Sequence, residues 1–272
     1  MVIYLIINNN IYNIIIEYCT SLHKKISNSK IIYIDEFNEC NSKNIYIFFG
    51  LHYVNYPIIN SPNIYYINLE QLTMDGSHSK YNMLENVINK TINLLDYSQG
   101  NINILTKYNI QSKYIPYQVN FDEVLNYTKI YDICMCCSYN ERIGYIYNAF
   151  ITNNSHCIGN PSLWGKDRDD ILFRSKILIN IHHREKDYNI LEEIRITRCI
   201  LNKIIVISEY SLDYEKYPLS KYIIYSNYDN IISKVSDVLS NYDSYYNDCY
   251  KDFNINEIDD ILSKYIYDFI HT

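Results

Sequence analysis

The chain has 272 residues, 48% of them hydrophobic with Tyr included, eight Cys and a formal net charge of −7, enough for one large domain or two small ones with real cores. An acidic total with no basic run longer than Lys24-Lys25 argues against a duplex-binding surface, which needs clustered cations to displace counterions, so nucleic acid is not expected as a partner. The excess of Ile, Asn, Tyr and Lys matches AT-rich codons, and the Tyr residues are therefore not read as a stacking platform for bases.

Short apolar runs alternate with longer amphipathic ones, the pattern of parallel strands covered by helices. Val2–Ile7 reads as a strand. It lacks a basic flank and runs into Asn8-Asn9-Asn10, and no run approaches the roughly 18 apolar residues of a membrane span; a cytoplasmic protein with reduced thiols is expected. Ile11–Ile26 reads as a helix with Ile14, Ile15, Tyr18, Leu22 and Ile26 on one stripe. Strands follow at Lys30–Ile34, Ile45–Phe49 and Ile64–Ile67, with a loop from Leu51 to Asn60 after Gly50. Next come a helix at Tyr81–Asn89, a strand at Thr91–Leu95, a helix at Gln99–Tyr108 and a strand at Tyr114–Pro116. A second cycle begins near Ile130: strand Asp132–Cys137, helix Arg142–Phe150, strand Ser155–Ile158, a helical turn at Asp169–Arg174 and strand Lys176–Ile181. Helix Leu191–Leu201, strands Ile204–Ser208 and Tyr222–Tyr225, and helices Asn230–Asp243 and Ile255–Ile270 complete it.

Two Rossmann-like halves emerge, residues 1–122 and 128–250, followed by a C-terminal helix in 251–272, with Asn120–Lys129 as the linker. In such sheets ligands sit beyond the carboxyl ends of the strands, and two facing halves place a ligand between them. No G-x-G-x-x-G, Walker loop or G-x-S-x-G elbow occurs, which weakens dehydrogenase, NTPase and hydrolase readings.

Tyr97-Ser98-Gln99-Gly100-Asn101, then Leu105 and Tyr114-Ile115-Pro116-Tyr117-Gln118-Val119-Asn120, resemble the end of the N-terminal domain of GT-B glycosyltransferases of the group-1-like superfamily. The stretch from Asp132 to Arg142 is similar to the first strand and loop of their C-terminal domain. Ile177–His182, Leu191–Ile196 and Val206–Glu209 resemble the donor-binding strand–helix–strand unit, and Tyr66–Gln71 is similar to a group-1 variant. The resemblance implies a compact α/β fold of two facing Rossmann-like domains. It also implies glycosyl transfer from a nucleotide-sugar, such as a UDP-sugar, to a glycan or other hydroxyl-bearing acceptor. No metal and no further cofactor is implied, and retention of configuration is expected by analogy. One departure stands out. Where many retaining members carry a second Glu two turns along the donor helix that starts here at Glu192-Glu193, this chain has Ile200 and Leu201. A non-catalytic binding or scaffold protein, and a glycosyltransferase acting on modified DNA bases, remain as alternatives.

A sugar-nucleotide diphosphate carries negative charge, and more develops as the glycosidic bond breaks; Arg, Lys or a helix N-terminus stabilises it. The resemblance gives donor-binding places to Ser138, Arg142, His183, Glu192, Arg195 and Glu209. Glu192 and Arg195 share one helix side and could equally be an exposed ion pair worth a few tenths of a kcal/mol. Glu70 and His182 are the catalytic candidates, since deprotonating a sugar hydroxyl needs a carboxylate or imidazole in reach; a helix cap and a satisfied strand-end imidazole are the plainer alternatives. Gly50, His52, Ser98 and Asn101 are assigned to the acceptor side of the cleft, with a helix N-cap as the other reading of Ser98. Cys134 and Cys137 form a C-x-x-C without the second pair a zinc site needs. Asp167-Arg168-Asp169 reads as a solvated charge run rather than a metal-binding D-x-D.

Overall fold

The computed structural model describes residues 1–50, 59–73, 92–136, 139–152, 157–158, 165–182 and 189–271. Two sheets carry the fold, and every strand pairing described is parallel. The first runs β2 (Ser29–Tyr33), β1 (Ile3–Ile7), β3 (Ile45–Phe49), β4 (Ile64–Asn68), β5 (Asn93–Asp96), β6 (Ser112–Tyr114). The second runs β11 (Ile223–Ser226), β10 (Ile205–Glu209), β9 (Ser175–Asn180), β7 (Tyr131–Cys134), β8 (Cys157–Ile158). Both sheets repeat one plan. The opening strand has the second on one side and the third on the other, and the rest follow in order. The direction of winding therefore reverses between β1 and β3, and again between β7 and β9. These are the topological switch points at which open α/β sheets bind ligands.

Both faces of the first sheet are buried, and alternation along each strand decides which side chain goes where. Ile3, Leu5, Ile7, Ile47 and Phe49 pack with Ile15, Tyr18 and Leu22 of α1 (Tyr12–Lys25). Ile6, Tyr46, Phe48, Tyr66 and Leu94 point the other way, onto Ile104 and Leu105 of α2 (Gln99–Lys107). In the second lobe β10 is buried along its whole length, between Ile196, Cys199 and Ile200 of α5 (Glu193–Leu201) and the apolar stripes of α6 (Ile231–Ser240) and α7 (Tyr242–Tyr250). The remaining described helices are α3 (Glu141–Thr152), α4 (Gly165–Phe173) and α8 (Ile255–His271). The last returns to the first lobe. Its Tyr265 and Phe269 meet Tyr114 and Tyr65 edge-on at 4.9 Å each, and its Asp259 pairs with Lys25.

Four expectations need correction. The strand expected at Tyr114–Pro116 is Ser112–Tyr114; the Ile115 N–H still donates to the Asp96 carbonyl at 2.8 Å, but Pro116 has no N–H to continue the ladder. The strand expected to run to Cys137 stops at Cys134. The single helix expected over Asn230–Asp243 breaks at Asn241, which caps the end of α6, and a separate α7 follows. The turn expected at Asp169–Arg174 is the end of α4, which already contains Asp167-Arg168-Asp169. The helix expected at Tyr81–Asn89 lies outside the described residues.

The lobes touch closely where α2 meets the second lobe. A Cβ on Gly100 would stand 2.8 Å from Ile190 Cδ1 and 3.0 Å from the Leu212 carbonyl oxygen. Gly100→Ala is therefore expected to cost about 1–3 kcal/mol through overpacking. A thermal midpoint equal to wild type would show that the two lobes are not held this close in solution.

Candidate functional site

The carboxyl ends of both sets of strands are turned toward one another, because residues just past them bond across the gap. Gln71, beyond β4, donates its side-chain amide to Glu192. The Gln99 N–H, beyond β5, donates to Glu193 Oε1 at 3.1 Å. Asn103 of α2 donates to Asp213, beyond β10.

On the second-lobe wall, α3 is started by Asn140, whose Oδ1 accepts from the Ile143 N–H at 2.9 Å. That places Arg142 in the first turn, over the ends of β9 and β10. Its Nη2 donates to Glu209 Oε1 at 2.7 Å, its Nη1 to the His182 carbonyl at 3.2 Å, and its guanidinium lies 4.1 Å from the Tyr228 ring centre. The second Glu209 oxygen accepts from the His182 N–H at 2.8 Å. Arg195, one turn into α5, donates to the Cys136 carbonyl beyond β7 and, at 3.0 Å, to Asn180 Oδ1 at the end of β9. Arg195 thus spans the switch-point crevice between β7 and β9, the position where this sheet plan receives a ligand. Two guanidinium groups stand over three strand ends, Arg142 with its charge paired by Glu209.

His182 is buried, and its Nε2 lies 3.2 Å from both the Tyr210 carbonyl and Ser211 Oγ. Burial lowers its pKa, with Glu209 opposing. The ring therefore braces the turn after β10; its geometry suits positioning rather than contact with an acceptor.

The first-lobe wall is organised around a carboxylate that sequence reasoning missed. Asp96, fully buried at the end of β5, accepts from Asn68 Nδ2 at 2.7 Å, Asn101 Nδ2 at 2.9 Å and the Ser98 N–H at 2.9 Å. Burial raises its carboxyl to about 7 against those three bonds. The same amides hold the main chain of Glu70: Asn68 Nδ2 and Asn101 Nδ2 both donate to the Glu70 carbonyl, at 2.9 and 2.8 Å, and the Glu70 N–H donates to Asn68 Oδ1 at 3.0 Å. Glu70 is thereby fixed at the inter-lobe edge, half-buried and next to Gln71. Ser98 and Asn101 are both buried, Asn101 in this network and Ser98 at the start of α2, without a side-chain cap bond and beside Glu193 of the second lobe. Gly50 is also buried, with φ of 74° and its N–H on the Ile67 carbonyl.

The adjacent acids at the start of α5 differ in burial. Glu192 is partly exposed and bonds Gln71. Glu193, 2% exposed, reaches into the first lobe, where the Tyr114 hydroxyl donates to it at 2.5 Å. Burial raises the Glu193 carboxyl to about 8. The charge run of α4 is solvated only at Asp167: Arg168 pairs with Glu17 of α1 at 2.8 Å, and Asp169 with the buried Arg198 of α5 at 2.6 Å. Among the described residues, no group of three or more His, Cys, Asp or Glu is arranged to hold a metal ion, and no helix is long and apolar enough to cross a membrane. His52, Ser138, His183 and Cys137 lie outside the described residues.

No protein-family model matches the chain. It is 31% identical over 209 residues to Uncharacterized protein R358 of Acanthamoeba polyphaga mimivirus, covering 75% of this chain and 71% of that protein. It is 32% identical over 234 residues to Uncharacterized protein L137 of the same virus, of whose length it spans only 30%. Among solved structures it is similar to AviGT4, a glycosyltransferase involved in avilamycin A biosynthesis, with a TM-score of 0.59 at 8% identity over 99% of this chain and 97% of that one. At that identity the likeness is one of fold.

Proposed function

We propose, for a chain that belongs to the family of the mimivirus protein R358 and has the GT-B glycosyltransferase fold, that it transfers a sugar from a nucleotide-sugar to an acceptor hydroxyl. The observation that carries this reading is Arg195 bridging the ends of β7 and β9, with Arg142 beside it over β9 and β10. Fixed guanidinium groups at a switch point suit a diphosphate, and they supply without a metal the charge the leaving group needs. Glu209 orients Arg142. Glu70, held at the facing edge by Asn68 and Asn101, is the candidate base for the acceptor hydroxyl. Closure of the lobes around both substrates excludes water and limits donor hydrolysis.

The test is thermal stabilisation by UDP, GDP and their sugars, followed by release of nucleoside diphosphate from whichever sugar binds. At 100 times its dissociation constant a ligand adds about 2.7 kcal/mol. Arg195→Ala is expected to erase that stabilisation and to lower kcat/KM by about 10²–10³, while the unliganded protein stays folded. Stabilisation by no nucleotide, or stabilisation surviving in both Arg195→Ala and Arg142→Gln, would refute the donor assignment. Nucleotide binding without diphosphate release would identify a binding module on the same fold.

A further inference from the structure

Beside Arg195 two thiols lie in contact. Cys134 closes β7 and Cys136 follows two positions on, just beyond the strand. Their Sγ atoms are 3.2 Å apart. The main-chain carbonyl of Cys136 accepts the Arg195 guanidinium. Glycosyl transfer has no use for this pair. We propose that Cys134 and Cys136 form an oxidisable dithiol that a peroxide closes to a disulfide, and that closure displaces the carbonyl on which Arg195 rests and so weakens donor binding. The second half rests on the donor reading above; the first does not.

The surroundings set the order of events. Cys134 is fully buried, whereas Cys136 is partly exposed. The hydrogen bond from Cys134 and the nearby Arg195 and Arg168 guanidiniums favour the Cys136 thiolate, while the same hydrogen bond and burial keep Cys134 protonated. A third neighbour, Cys199 of α5, is buried, and burial pushes its thiol up to about 12, so it does not compete as a nucleophile. Cys136 sulfur attacks a peroxide oxygen, the O–O bond breaks, and a sulfenic acid and water result. Cys134 sulfur then attacks Cys136 sulfur, the S–S bond forms as the S–O bond breaks, and the hydroxide leaves with the Cys134 proton as water. Two thiols lose two electrons and two protons while one peroxide becomes two waters.

The experiment uses the full chain carrying Cys137→Ser, which removes the third thiol of the tryptic peptide spanning residues 130–142. After hydrogen peroxide and alkylation, that peptide is expected to be unlabelled and lighter by two hydrogens, and to take two labels after dithiothreitol. With Cys134→Ser added, no such species forms. A peptide still doubly labelled, or one carrying a sulfinate at Cys136 beside a labelled Cys134, overturns the dithiol. Oxidised protein is expected to bind the stabilising nucleotide about tenfold more weakly, reversibly with dithiothreitol and not in the Cys134→Ser variant; unchanged affinity overturns the coupling. If no nucleotide stabilises even the reduced protein, the donor reading fails and with it the coupling, while the peptide mass still decides the dithiol.

Discussion

Arg198→Met is expected to lose about 3–5 kcal/mol of stability, a fall in thermal midpoint on the order of 10 °C, whereas Lys24→Met leaves the midpoint where it was. Arg198 sits on α5 with 3% of its side chain exposed and makes a fork onto Asp169, at 3.1 and 2.6 Å, and a third bond to Glu123 at 2.8 Å. Burial works against its charge, but the Glu123 and Asp169 carboxylates outweigh that and hold it protonated. Through these partners it joins α4, α5 and the linker, and Arg168 extends the chain of charges to Glu17 on α1 in the first lobe. Met fills similar volume but leaves Glu123 without its cation and Asp169 with Arg168 alone in a largely buried place, and the carboxylate left unpaired is what makes the loss large. Lys24 pairs with Asp122 at 2.9 Å in full view of solvent, where water replaces the partner. An Arg198→Met midpoint within a degree or two of wild type would mean that the network is not what ties linker to lobes.

Much of the architecture is legible because strands buried on both faces are written as unbroken apolar runs, and Ile45–Phe49 is the same segment in sequence and structure. What escaped reading depended on partners distant in the chain. Asp96 looks like any strand-end acid until Asn68, 28 positions earlier, is placed beside it. Asp167-Arg168-Asp169 looks solvated because Glu17 and Arg198 are far away in sequence. Glu192 and Glu193 both bond across the gap, and adjacency alone could not say which of the two is buried there. Helix α7 does carry a local signal, in its Tyr residues. Tyr242, Tyr246 and Tyr250 recur at helical spacing with successive ring centres 5.8 and 5.4 Å apart, so residues that codon bias would account for also form the apolar stripe. The positions of Arg142 and Arg195 were readable only through the resemblance, since nothing in their spacing brings them to neighbouring strand ends.

Stability is expected to fall as pH rises through neutrality, and Glu193→Gln to remove much of that fall. In the folded chain burial holds the carboxyl of Asp96 at about 7 and that of Glu193 at about 8, while in the unfolded chain such groups ionise near 4. The folded state therefore keeps protons that the unfolded chain has already released. Its advantage is complete below the ordinary carboxyl range and is lost as pH climbs through about 7 and then about 8. Each tenfold gain in proton affinity on folding is worth about 1.4 kcal/mol, so two raised carboxyls place the change on the order of several kcal/mol. His182, lowered by burial, acts in the opposite direction but only below its ordinary pKa, and Lys129, lowered by burial to about 8, acts in that direction chiefly above that value. Between roughly pH 6.5 and 8 the acids dominate. Gln at 193 mimics the protonated acid: its oxygen can accept from the Gln99 N–H while its amide donates to a rotated Tyr114 hydroxyl, so the inter-lobe bonds survive without the charge. Thermal midpoints across this window should decline in wild type, less steeply in Glu193→Gln, and least with Asp96→Asn added. Parallel profiles for wild type and Glu193→Gln would show that Glu193 already ionises freely between the lobes, and that the contact joining α5 to α2 is not a closed, water-free one.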